Sequence, residues 1–566
     1  MIGMNAEQFL AQAMNQAQGG NEAAALATLT QAKSAHPEHP RIWHFAGNLL
    51  LRAGNAADAA GHFGKAHELD PGNFDYAIDQ AIALTRQDKN HEALAVLATV
   101  ENVANGHAHF WSTRANAARG TGDFSTAAEW YDRALKIEPS RPKALHGRAT
   151  VALERGEPDA VELFDKALQA NQADPQAWLG KAQALDVAGR TQEAIQIAEA
   201  LVNQIPQWID GIRLLAQLRL GQGDGDFAAP YREAAKRVPQ DANIPAEHCR
   251  ELAALDMAQE AADIAADARR RFPDNPHLAM LEAMQAGAAG DEDRAEEIWL
   301  SLELDRVDRH VFEARHWVRR ADFDRASAVI DKALAAAPWD IGAWALRDVI
   351  WRLSGDDRHE WLHGQTGLVQ LLPLADVESV LPAAIAILDQ LHDNAHHPLG
   401  QSLRKGGTQT QGRLFDRYEP EIQALHLAIA ETVKNYRDQL PAMDDSHPLL
   451  RHRNKDWRFS GSWSIRFMGG TGHHTAHLHP EGIVSSACYL ALPPDLGAGE
   501  GEKAGWIELG RPAPDLRLDL QPLHELKPKE GHLALFPSTL YHGTNHFNEG
   551  RRMTVAFDVI PATQQT

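Results

Sequence analysis

With 566 residues the chain exceeds one ordinary hydrophobic core, so several domains, or a long repeat array joined to a globular domain, are expected. Lys and Arg number 55 against 77 Asp and Glu, and the resulting charge of −22 excludes non-specific binding to nucleic acid or to an anionic membrane surface. Two distant cysteines, Cys249 and Cys488, exclude a disulfide framework and point to a reducing compartment.

The first twenty residues have no basic segment followed by a continuous apolar stretch, and no run of about 18 apolar residues occurs in the chain, so neither a signal peptide nor a membrane span is expected. The expected location is cytoplasmic. The basic run Arg451–Lys455 reads as a solvated loop.

From about residue 6 a period is visible. Pro71 follows Pro37 by 34 residues, Pro139 follows Pro71 by 68, and Trp111 follows Trp43 by 68, with Trp178 opening the equivalent helix further on. Within one unit Trp43, Ala46, Gly47 and Leu50 share a helix face. Gly54-Asn55 breaks that helix, Ala59, Phe63 and Ala66 form the face of a second, and Pro71 stops it. Small residues at Gly47 and Ala59 let the two helices approach, while Trp43 and Phe63 fill the gaps. The unit resembles a tetratricopeptide repeat. The resemblance is clear to about residue 207 and degenerate beyond it, and predicts an all-α solenoid over 6–355. Such an array presents an extended concave surface for a protein or peptide partner.

After about residue 356 the composition shifts to His, Gly, Pro and Trp. Two amphipathic helices are predicted over 374–392 and 420–440, followed by strands in "GSWSIRFMGG", "GIVSSACYLALP", "GWIELG", "GHLALFP" and "RRMTVAFDVIP". The order predicts an α+β domain over 356–566, built on a β-sandwich or open barrel.

The chemistry-bearing pattern lies here. In "TAHLHPEG", His477 and His479 stand two apart, and i, i+2 residues of a strand share a face. His542, in "LYHGTNHF", can complete a three-nitrogen metal face, and Arg552 can clamp an anion beside it. Glu481 can replace His477 by forming a His-x-Glu pair with His479. His546 is a weaker alternative ligand, and His473 and His474 read as loop or substrate-side residues. Trp463 and Phe536 read as core, and Arg404, Thr408 and Gln409 as residues of the substrate mouth or of the domain's entry.

Three blocks in order, residues 397–415, 477–493 and 526–558, resemble the double-stranded β-helix (jelly-roll) oxygenases dependent on Fe(II) and 2-oxoglutarate, in the branch often joined to tetratricopeptide repeats. The resemblance implies that His477, His479 and His542 hold the metal and are the catalytic residues. It also implies that Arg552 and Thr554, with Tyr489 nearby, bind the 2-oxoglutarate carboxylate, which a guanidinium fork pairs bidentately. O2 would be the second co-substrate, and a protein or peptide recruited by the repeats the acceptor. His479 stands where the usual 2-His-1-carboxylate triad has its carboxylate. That departure leaves two other readings open: a non-catalytic repeat scaffold with a degenerate oxygenase domain, and a three-His zinc enzyme.

Overall fold

The computed structural model describes residues 4–393, 395, 407–468, 473–497 and 503–562. The chain divides into two compact units, Met1–Ala184 and Leu185–Thr566.

The first unit consists of antiparallel helix pairs, from Ala6–Gln18 with Glu22–Ala35 to Pro142–Glu154 with Ala160–Ala170. The local reasons recur. A glycine in the left-handed region ends one helix and an Asn or Asp starts the next, as in Gly20-Asn21, Gly54-Asn55 and Gly122-Asp123. Each Asn or Asp side chain accepts the backbone N–H three residues on, satisfying one of the donors a helix start leaves open. The indoles of Trp43, Trp111 and Trp178 each donate to the carbonyl six residues earlier, at 2.7–3.0 Å. Gly47 faces the ring of Phe63, where a Cβ would come within 2.7 Å of the ring carbon Cε1. The glycine is needed there for close helix packing.

The second unit continues the helices from Thr191–Gln204 to Ile341–Ser354, where Gly290-Asp291 repeats the turn and Trp344 repeats the indole bond. Two further helices, Val377–Asp393 and Pro420–Gln439, cover a sheet-rich domain. Its strands are β1 (Gln370–Pro373), β2 (Gly407–Gln409), β3 (Trp457–Met468), β4 (Val484–Ala491), β5 (Ile507–Leu509), β6 (His524–Leu526), β7 (His532–Pro537), β8 (His542–Thr544) and β9 (Arg551–Pro561). They form an antiparallel six-stranded sheet, β1-β7-β4-β9-β3-β2, and a three-stranded one, β6-β5-β8.

Strand alternation decides what each face of the large sheet meets. Met553, Val555, Phe557 and Val559 of β9 pack with Leu533 and Leu535 of β7 against the two covering helices. Arg552, Thr554 and Ala556 line a cavity on the opposite face. On that face Tyr489, Ala534 and Phe536 of the large sheet pack with Ile507 and Leu509 of the small one.

The last repeat helices share a core with this domain. Trp317, Leu346, Val349 and Ile350 pack with Leu516 and Tyr541, and Leu478 lies against the same cluster. Arg315 donates to both oxygens of Asp515 (2.7 and 2.6 Å) and to the Tyr541 hydroxyl (2.8 Å). Arg352 reaches the carbonyls of Gly510 and Gln521, and His363 links Asp348 to Thr539. The helical array thus ends at Ser354, while the division into compact units falls much earlier, after Ala184.

Candidate metal and anion site

Strand β8 starts at His542, and its register against β5 places His542 opposite Leu509. On its other side the segment around His477 forms a bridge, with His477 and His542 exchanging both backbone hydrogen bonds at 3.0 Å. His479, two residues on, projects toward the same point. The three imidazoles can each offer a ligand atom within 4.8 Å of the others, and the Nε2 atoms of His477 and His479 are 3.1 Å apart.

Each outer nitrogen is engaged. His477 Nδ1 lies 2.8 Å from the Thr475 carbonyl, His542 Nδ1 3.3 Å from the Leu540 carbonyl, and His479 Nδ1 2.7 Å from Asp558 Oδ1. Because all three Nδ1 atoms face acceptors, the tautomer with Nδ1 protonated would leave the three Nε2 lone pairs for an ion. Burial, then the neighbouring His479, brings His477 down to about 3. Burial likewise holds His542 well below the ordinary imidazole range, with His477 and His479 adding to it. Both imidazoles are therefore neutral at physiological pH.

The same cavity, 290 Å³ in volume, is also lined by Arg552. The Arg552 guanidinium is buried, 2% exposed, and among the described residues no carboxylate pairs with it. Its Nη1 donates to Thr544 Oγ1 at 3.0 Å, and among the described residues its Nε has no acceptor. Burial lowers its proton affinity, partly offset by the phenol of Tyr489, over whose ring it lies at 5.4 Å. A buried guanidinium is costly unless an anion meets it, so this corner can take a carboxylate or similar group.

Residues 461–558 match the family described as "Putative 2OG-Fe(II) oxygenase". Tetratricopeptide-repeat models match residues 10–74, 50–117, 108–141 and 158–218. The chain joins tetratricopeptide repeats to a 2OG-Fe(II) oxygenase-family domain. Among curated proteins it is 33% identical over 194 residues to cellulose synthase 2 operon protein C of Komagataeibacter xylinus, covering 30% of this chain and 14% of that one. It is 25% identical over 224 residues to protein FlbA of Caulobacter vibrioides, covering 36% of this chain. The chain thus spans 14% and 38% of the lengths of these two relatives. A solved tetratricopeptide repeat protein from Parabacteroides merdae is 17% identical, with a TM-score of 0.37, over 43% of this chain and 96% of its own.

In the oxygenase-family domain the other sequence candidates fall as follows. Thr554 lines the cavity beside Arg552. Tyr489 pairs with Thr554 across β4 and β9, is fully buried, and stands behind Arg552, so it meets the guanidinium and does not line the cavity. Glu481 is exposed and lies outside the His cluster, because the chain turns away at Pro480 before β4 begins. His474 lines the cavity, whereas the His473 and His546 rings meet each other at 5.8 Å. Trp463, read from sequence as core, lines the cavity with its ring 5.3 Å from that of His479. Phe536 is buried, 4.9 Å from the His542 ring. Thr408 bonds His392 from β2 at 2.9 Å, and neither it nor Gln409 lines the cavity. Arg404 lies outside the described residues.

Two residues of the site escaped the sequence reading. Thr544 supplies the acceptor for Arg552, and its signal was its place two residues after His542, on the same strand face. Asp558 holds His479, and its signal was the even-numbered face of β9 that already carries Arg552 and Thr554.

Proposed function

We propose that the C-terminal domain, 356–566, is an Fe(II)- and 2-oxoglutarate-dependent dioxygenase that hydroxylates a protein or peptide recruited by the repeat array over 6–355. The observation that carries this reading is one cavity holding three convergent imidazoles and a buried guanidinium that no carboxylate meets among the described residues. The donor set fits the metal: three imidazole nitrogens, each ring fixed through its far nitrogen. The anion corner fits 2-oxoglutarate, with Arg552 as the charge partner and Thr554 as an added hydroxyl.

His477, His479 and His542 would hold the iron, and Arg552 and Thr554 the distal carboxylate of 2-oxoglutarate. Bound there, the pair would couple O2 and the decarboxylation of 2-oxoglutarate to succinate with hydroxylation of a substrate C–H bond. The chain's own contribution is placement. Tyr489 and Thr544 keep the guanidinium in position, and Phe536 backs His542. Trp463, Ile465 and Ile507 give the cavity apolar walls that limit water beside the ligands. The repeats raise the local concentration of a tethered substrate. Both cysteines are free and buried, which suits a reducing, cytoplasmic setting. Among the described residues no helix is long and apolar enough to cross a membrane.

The test is anaerobic addition of Fe(II) and 2-oxoglutarate to the full chain, followed by its charge-transfer absorption. The band is expected in the unmodified protein and lost in His542→Ala. Arg552→Ala is expected to weaken 2-oxoglutarate binding at least about 100-fold, the loss of a bidentate charged pair worth about 3 kcal/mol. Unchanged behaviour in both variants overturns the assignment. Three nitrogens also suit zinc, and bound zinc with turnover independent of 2-oxoglutarate would select the hydrolytic alternative.

A further inference from the structure

The three imidazoles are not equivalent. His477 and His542 direct their outer nitrogens at neutral backbone carbonyls. His479 alone faces a carboxylate, that of Asp558, at 2.7 Å. It is also His479 that occupies the place where a carboxylate ligand would be expected. We infer that Asp558 is a positioning residue that restores this missing charge, its carboxylate accepting the His479 Nδ1–H and lending the imidazole anionic character.

The inference rests on the metal site proposed above, and four observations support it. The side chains of His479 and Asp558 are only 14% and 10% exposed, so water screens their interaction weakly. Among the described residues, His479 is the one ion-pair partner of Asp558, so no other cation competes for the carboxylate. The backbone at Gly482 lies close beside Asp558, where a Cβ would come within 3.1 Å of the Asp558 Cβ. Finally, β9 places Asp558 on the face that carries Arg552 and Thr554, aimed at the site from a rigid central strand.

Three neutral nitrogens leave a divalent ion its full charge. A carboxylate hydrogen-bonded to one of them removes part of that charge without entering the coordination sphere. Asp558 thereby raises the basicity of one ligand and fixes its ring, and both effects act on metal affinity before any substrate binds.

Asp558→Asn separates charge from shape, because the amide oxygen can still accept the Nδ1–H. Anaerobic titration of the full chain with Co(II) is expected to show affinity about 10- to 100-fold weaker in the variant, while the melting temperature of the metal-free protein stays unchanged. Equal Co(II) affinity in the two proteins overturns the inference and leaves the metal site standing. No Co(II) binding by the unmodified chain overturns the metal site itself, and this inference with it. If the Asn variant does not fold, the unmodified protein labelled with ¹⁵N-histidine and loaded with Zn(II) decides. The His479 ring N–H proton is expected furthest downfield of the three ligands, and a shift no different from those of His477 and His542 overturns the inference.

Discussion

At Gly543 the two segments carrying the imidazoles run close together. A Cβ there would sit 3.0 Å from the Ala476 nitrogen and 3.1 Å from the His474 carbonyl oxygen, backbone atoms that cannot swing aside. Gly543→Ala should therefore part His477 from His542 while leaving the repeats untouched. The expected result is at least about tenfold weaker metal binding, about 1.4 kcal/mol, with unchanged helical circular dichroism. At this scale the sequence was legible where spacing carries meaning. A two-residue step put His477 with His479, although that segment forms only an isolated bridge and no strand, and within β9 it put Arg552 with Thr554. Asp558 was missed because its contact spans 79 residues. Glu481 looked attractive only because it is close along the chain, and Pro480 turns it away from the site.

Between elements, side chains from the repeats hold the chain neighbours of the candidate histidines. Leu478, between the two histidines, packs against the cluster of the last repeat helices, and Tyr541, just before His542, is gripped by Arg315. Among the described residues, Arg315→Ala leaves Asp515 only its 3.8 Å ion pair with Arg319 and frees Tyr541, and should cost about 2–3 kcal/mol for lost charged hydrogen bonds, read by chemical denaturation. A second fastening depends on acid. His447 receives the N–H groups of Leu449 and Leu450 on Nδ1 and donates from Nε2 to the Leu362 carbonyl. Burial, opposed by that carbonyl, holds it down to about 4. Below about pH 6.5 the unfolded chain takes up a proton that folded His447 refuses. Stability should accordingly fall as pH drops from about 6.5 to 4, by up to about 3 kcal/mol from this group. Denaturation midpoints across that range are expected to slope less in His447→Gln. The long elements were readable because β3, β4 and β9 and the two covering helices run through enough residues to display a period. Strands β1, β2, β6 and β8, three or four residues each, are too short to show one and exist through pairing.

For the whole molecule, composition marks a boundary near residue 355, but packing does not follow it. Residues 307–354 read as ordinary repeat helices because an alanine- and leucine-rich face looks alike whether another helix or a loop of the sheet domain covers it. Two fragments distinguish the boundaries. Residues 185–566 are expected to be monodisperse, with a cooperative thermal transition. Residues 356–566 leave Leu516, Leu518, Leu520 and Tyr541 uncovered and are expected to aggregate. Comparable melting of both fragments would show the shared core to be dispensable. An engineer wishing to transplant this chemistry onto another scaffold must move the final helices Val307–Arg319, Phe323–Ala336 and Ile341–Ser354 with it, since these three are part of the donor's interior rather than its handle.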